Sequence, residues 1–298
     1  MPPPPPPSRP RRLTRLDWCL LAVLTAAGGW FAWRVSQLQN YRWNWAPIPQ
    51  FFLRYDEATG SWVSNLLLHG LANTIRLTIF GMLLATAIGV VVGLLRVARD
   101  PFLRLVARSY VELMRNTPPL VIIFILYFFL SSQLVPQLGL EQRIAAASPE
   151  TRAVLAFVLG DPRLVENFVS GLLCLALFEA AYIAEIVRAG VESIGKGQWE
   201  AAQSLGLDRR TTLRKVILPQ AFARMVPPLC NQMVSLVKDS SIVSLVSIQE
   251  LTFMATDIGV STTRVYEVWL TVAAVYFTVC FSLSLFFSRL ERAYARRR

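Results

Sequence analysis

Long apolar runs broken by short polar segments set the rhythm of this chain, at about residues 18–33, 75–95, 119–135, 168–187, 226–247 and 266–287. A helix needs about 20 apolar residues to cross a bilayer, and five of the six runs approach or reach that length. The first is short, but Leu16 and its flanks extend it to residues 16–36. Each run is expected to be helical, because lipid offers backbone N–H and C=O groups no partner outside the helix ladder. The pattern therefore predicts an all-α fold, a polytopic transmembrane helix bundle of about six spans. Residues 151–160 are apolar but too short to cross, and are expected at the surface. The small residues Ala26, Ala27 and Gly28 would also suit a cleaved signal peptide, whereas Trp30 and Trp33 suit a retained anchor.

Composition agrees with this reading. Charged residues make up 16% of the 298 residues, against about 25% in soluble domains, while 54% are hydrophobic and the mean hydropathy is +0.45. The length suits one membrane domain, with no room for a nucleotide-binding domain beside it. The net charge of +11 does not form a nucleic-acid stripe, because the basic residues sit in clusters between apolar runs. Arg96, Arg99, Arg104, Arg108 and Arg115 separate spans two and three. Seven basic residues, from Arg188 to Arg224, separate spans four and five. The opposite loops are poorer in positive charge, residues 250–267 having only Arg264. Positive charge marks the cytoplasmic side, which puts both termini in the cytoplasm. The tail of residues 1–15, with prolines at 2–7 and then Arg9, Arg11, Arg12 and Arg15, is expected to be disordered or polyproline II.

Few residues suggest chemistry. Cys19, Cys174, Cys230 and Cys280 lack metal spacing and read as small buried hydrophobes. His69 reads as an interfacial polar residue. Neither a metal cluster nor a phosphate-cradling Gly-x-x-x-x-Gly-Lys-Ser/Thr loop is present, so no cofactor is expected and the chain is not expected to be an enzyme. Trp43, Trp45 and Trp62 fall in the first outer loop, suited to an aromatic belt or a partner-facing surface. The absence of an internal repeat argues against an inverted-repeat secondary transporter.

The most informative stretch is residues 198–219. Residues 198–205 favour a short helix stopped by Gly206. Asp208 is placed to cap a second helix over 209–217, which Pro219 is expected to interrupt. Ala201 and Ala202 would keep this cytoplasmic knob narrow enough for a cleft on another protein, with Glu200 fixing its register. Composition alone leaves open an amphipathic helix resting on the headgroups, as in a secondary transporter or channel.

The spacing of Glu200-Ala201-Ala202, three residues, Gly206, nine residues, Val216, one residue, Leu218-Pro219 resembles the EAA signature of permease subunits of binding-protein-dependent ABC importers. Val216 stands where that pattern usually has isoleucine. Arg115-Asn116-Thr117-Pro118-Pro119-Leu120, residues 181–190 and Lys238-Asp239-Ser240-Ser241 resemble the polar amino acid branch of that family (histidine, glutamine or general L-amino acid type). The resemblance spans roughly residues 65–290 and implies the type I permease architecture, with residues 196–219 as coupling loop. It further implies cytoplasmic ATPase subunits, a second permease (identical or paralogous) and a periplasmic solute-binding protein. Glu200, Ala201, Ala202, Gly206, Leu218 and Pro219 then become coupling residues.

Ionisable groups inside a span are costly and mark function. Glu179 lies near the middle of span four with Tyr182 one turn on, and is expected either to line the pathway or to form a buried pair with another span. Glu185 can pair with Arg188 at i, i+3, which suits a structural or interfacial role as well as a transport one. Span five carries Lys238, Asp239 and Ser240 behind Pro227 and Pro228, a load that suits a broken helix lining a cavity or, for Lys238 and Asp239, pairing with other helices that holds the bundle together. Glu179, Tyr182, Glu185, Lys238, Asp239 and Ser240 form the candidate substrate pathway.

Overall fold

The computed structural model describes residues 14–38 and 41–295. The proline run, Arg9, Arg11, Arg12 and the terminal residues 296–298 lie outside the described residues. Two compact units result, residues 1–44 and 45–298. In the first, α1 (Arg15–Leu38) is a helix of 24 residues, about 36 Å long at 1.5 Å per residue. Leu20, Leu21, Leu24, Trp30 and Phe31 are exposed on it, a surface that suits lipid better than water. Cys19 is exposed there too, and Cys174 alone of the four cysteines is buried. The expectation of four buried cysteines fails, since Cys230 and Cys280 are only partly covered and Cys19 is open.

Near its start the second unit carries a hairpin that the all-α pattern does not announce. Strands β1 (Leu53–Asp56) and β2 (Ser61–Ser64) pair antiparallel, with Tyr55 opposite Trp62. The two rings meet edge to face at 5.6 Å. Its signal is local: Asp56 Oδ1 accepts from Ala58 N at 3.2 Å, and Gly60 supplies the positive φ of +62° that closes such a turn.

Helices follow in the order α2 (Leu66–Arg96), α3 (Pro101–Asn116) and α4 (Pro119–Ile125), the last prolonged by a π turn at Leu126–Ser131. Then come α5 (Pro149–Leu159), α6 (Val165–Glu192), α7 (Lys196–Ser204) and α8 (Leu218–Asp239). A 3-10 stretch, Ser240–Val246, leads to α9 (Leu251–Thr262) and α10 (Val265–Ala295). Among the described residues, four segments are long and apolar enough to cross a membrane: Leu66–Arg96, Pro119–Ala146, Pro162–Glu192 and Val265–Leu290. A fifth forms if Arg209–Val246 and Leu251–Thr262, bent by 50°, count as one span. These match the second to sixth apolar runs, and α5, at 11 residues, is not among them. The basic connection after span two is itself the amphipathic helix α3, which turns Ala107, Val111 and Met114 inward.

The core is built on α6 against α2. Gly81, Ala85, Gly89 and Gly93 recur every four residues along the buried side of α2, the small-residue stripe that lets membrane helices approach closely. A Cβ on Gly89 would lie 2.7 Å from Ile183 Cβ, and one on Gly93 2.6 Å from Val187 Cβ. At the other end of α2, the fully buried Glu250 pins three helices together. Its carboxylate accepts from Phe253 N at 2.8 Å, Tyr276 Oη at 2.7 Å and Thr74 Oγ1 at 3.3 Å.

Pro219 does not interrupt the helix it follows. Arg209–Thr212 runs through a π turn at Leu213–Ile217 into α8 with no break. Leu218 N reaches back to Leu213 O, and this wider ring gives the pyrrolidine room where an α turn would clash. Pro227 and Pro228 also lie inside α8 rather than opening the span. The expected break comes later, where Ser247 takes φ +63° after the 3-10 stretch.

Candidate functional site

Two regions carry the functional candidates, a polar helix at one end of the bundle and a set of charges within it. The polar helix is α7. It closes with a Schellman arrangement, Leu207 N donating to Ala202 O at 3.1 Å and Gly206 N to Gln203 O at 2.9 Å. Gly206 adopts φ +75°, the left-handed conformation that glycine takes without strain. Asp208 caps the next turn by accepting from Arg210 N at 3.2 Å. A hydrogen bond from Thr211, ahead of lesser effects, holds the Asp208 carboxyl below its ordinary range.

The predicted coupling residues divide by environment. Glu200, Ala201, Gly206 and Pro219 are not buried, whereas Ala202 is, and Leu218 packs with Val216 and Trp199 against Ile217, Ala221 and Met225. Glu200, Ala201 and Ser204 form one open helical face, and Leu205 extends it at 80% exposure. The helix is seated firmly: the Arg209 guanidinium lies 5.4 Å over the Trp199 ring, and Gln220 Nε2 donates to Gln198 Oε1 at 3.1 Å.

Within the bundle, Glu179 is fully buried and accepts from Gln232 Nε2 on α8. Apart from the facing Asp239 carboxyl, no side chain among the described residues hydrogen-bonds its Oε1. The Asp239 carboxyl faces it from the end of α8, so the two helices bring two predicted carboxylates together. Ser240 is buried and spends its hydroxyl on Val237 O at 2.7 Å, while Lys238 is exposed. Tyr182 stands between the carboxylates and the basic end, with the Arg115 guanidinium 5.5 Å from its ring centroid.

Glu185 does pair with Arg188, as its spacing predicts, but also with Arg96 from α2, and Arg115 of α3 lies 3.6 Å away. Arg188 continues to Glu192. Three arginines on one half-buried carboxylate tie the ends of three helices together. Spacing within α6 can reveal only one of these partners. Sequence reasoning also passes over Arg76, one residue inside the second apolar run. Its signal is nonetheless present: a guanidinium within a membrane helix, subject to the same cost that nominates Glu179.

Residues 63–296 match the family described as binding-protein-dependent transport system inner membrane component. The chain is 34% identical over 226 residues to the probable amino-acid ABC transporter permease protein YckA of Bacillus subtilis (strain 168), covering 76% of this chain and 88% of that protein. It is 36% identical over 225 residues to the probable glutamine ABC transporter permease protein GlnP of the same organism, covering 74% and 90%. A crystal structure of an amino acid ABC transporter with histidines superposes with a TM-score of 0.61 at 32% identity, over 76% of this chain and 94% of that one. The chain therefore belongs to the inner-membrane permease components of binding-protein-dependent ABC transport systems.

Proposed function

We propose that this permease carries a polar amino acid inward and is driven by separate ATPase subunits that dock on α7. One observation carries the coupling claim: the open Glu200–Ala201–Ser204 face ends in the bare side chain of Leu205. An apolar side chain that exposed, at the tip of a rigidly seated helix, gains by burial in a partner's cleft. Glu200 supplies the charge that sets register, while Ala202 and Leu218 seat the helix from beneath. A second permease, identical or paralogous, and a periplasmic solute-binding protein complete the assembly, with α1 retained as a first span and both termini cytoplasmic.

The test is co-purification. An ATPase partner should come down with the wild-type chain. Reversing the charge by Glu200→Arg should weaken that association by about 2 kcal/mol or more, roughly thirtyfold. Retention of the ATPase at wild-type levels would remove α7 from the interface.

Glu179 and Asp239 belong to the substrate pathway on this reading, with Tyr182, Glu185, Lys238 and Ser240 around them. The meeting of the Glu179 and Asp239 carboxyls inside the bundle supports acidic groups kept for a passing ligand. Glu179→Gln and Asp239→Asn should each lower amino acid uptake by about tenfold, near 1.4 kcal/mol, at unchanged membrane abundance. Normal uptake in both variants would make the pair structural.

A further inference from the structure

Arg76 sits within the apolar helix α2 and has no carboxylate within ion-pair distance among the described residues. Its Nε donates to Phe157 O at 3.0 Å and its Nη1 to Asn73 Oδ1 at 2.6 Å, so among the described residues no acceptor meets Nη2. A full positive charge inside a span without a counter-charge is expensive. Those two neutral acceptors orient the guanidinium but do not balance it.

The arginine borders a cavity of about 420 Å³ at the end of the bundle opposite α7, a volume within the range of small-molecule sites. Helices α2 and α5, the start of α6 and the elbow before α9 enclose it. Its polar lining includes Asn73, Arg76, Asp161, Asn167 and Gln249. The wall is held in place. Asn73 Nδ2 donates to Gln249 O at 2.7 Å, and Asn167 Nδ2 to Ser247 O at 3.2 Å. Gly160 (φ +90°) passes close over the Asn73–Arg76 pair, where a Cβ would lie 3.0 Å from Asn73 Oδ1 and 3.4 Å from Arg76 Nη1. Asp161, next in the chain, contributes a negative charge to the wall, and its Oδ1 is already engaged by Arg163 N at 2.9 Å.

We propose that this cavity is a receiving site for a free amino acid, in which Arg76 binds the α-carboxylate and Asp161 faces the α-ammonium. Charges of opposite sign on one cavity, separated by neutral amides, match a zwitterion and match neither a lipid tail nor a simple cation. A guanidinium presents its donors in the plane a carboxylate needs. The site is distinct from Glu179 and Asp239, which lie deeper along α6 and α8. The inference rests on the importer reading for its ligand and adds the place where that ligand first meets the membrane protein.

Charge-selective labelling tests it while the solute is still unidentified. Ala156, on the cavity wall, is changed to cysteine in the full chain in nanodiscs. The chain is treated with a negatively charged sulfonatoethyl or a positively charged trimethylammonioethyl methanethiosulfonate, and mass spectrometry of the peptide containing residue 156 separates this thiol from the native cysteines. With each rate divided by that reagent's rate with free 2-mercaptoethanol, the anionic reagent should be favoured by about tenfold, since a fixed charge in a low-dielectric cleft raises local counter-ion concentration to that extent. Arg76→Gln should abolish the preference and Arg76→Lys should retain it. Glycine should slow labelling, whereas glycinamide, which lacks the carboxylate, should not. Equal normalised rates for the two reagents in the Arg76 chain, or equal protection by glycine and glycinamide, would overturn the proposal even if Arg76→Gln does not fold. Failure here leaves co-purification through Glu200 untouched, and loss of that co-purification leaves the labelling preference intact.

Discussion

Replacing Gly89 by leucine is expected to abolish the folded permease. Glycine at this position lets α2 approach α6 so closely that even a methyl group would lie 2.7 Å from Ile183 Cβ and 2.9 Å from Ala180 O. One of those neighbours is backbone, so a rotamer change cannot relieve the contact and the helices must separate. Overpacking a core typically costs about 1–3 kcal/mol, and here it also opens contacts at Gly81, Ala85 and Gly93 on the same stripe. Close packing of small residues is what membrane helices have in place of a hydrophobic driving force. Monodisperse protein extracted in detergent should fall by about tenfold or more, the equivalent of 1.4 kcal/mol or above. Val91→Leu, on the exposed side of the same helix, should leave the yield unchanged. Wild-type yield and melting temperature for Gly89→Leu would show that the α2–α6 contact is looser than described.

The second large effect is expected at Gly206, and its origin differs. No atom lies within 4 Å of a Cβ built there, so space is not the constraint. The backbone is: φ is +75°, where a side-chain-bearing residue costs about 1–2 kcal/mol and a β-branched one is a genuine outlier. Gly206→Val should leave the bundle folded but rotate α7 off its seat, reducing ATPase association and substrate-stimulated hydrolysis by about tenfold. Asparagine tolerates the left-handed region, so Gly206→Asn should keep most of the coupling. Equal behaviour of the two variants would show that the conformation of the elbow does not matter to the partner.

Much of the chain is legible where the determinants are local. The apolar runs locate five helical spans because length and lipid leave the backbone little choice. Residues 198–208 reveal α7, its glycine stop and its aspartate cap, because capping chemistry is confined to a few adjacent residues. The errors share a different cause. Pro219 reads as the end of a helix because its ring clashes with an α turn, yet a π turn ahead of it removes the clash. Glu185 discloses Arg188 through helical spacing but not Arg96 or Arg115, which tertiary packing brings from α2 and α3. The carboxylate of Glu250 meets Thr74 and Tyr276 across three helices, a juxtaposition that no window along the chain contains. Two further signals lie in the sequence without entering the reading of it: the four-residue period of small side chains from Gly81 to Gly93, and the charge of Arg76 inside an apolar run.

The unbroken helical path from Arg209 to Val246 has a mechanical consequence. From its foot beside α7 to Asp239 it measures about 45 Å at 1.5 Å per residue. A tilt of about ten degrees at the foot therefore sweeps Asp239 through about 8 Å, more than the pitch of a helical turn. A helix that ended at Pro219 would absorb such a tilt in a joint. The π turn, by accommodating the proline, keeps the segment continuous, so that a small tilt at its foot would reach Asp239 enlarged.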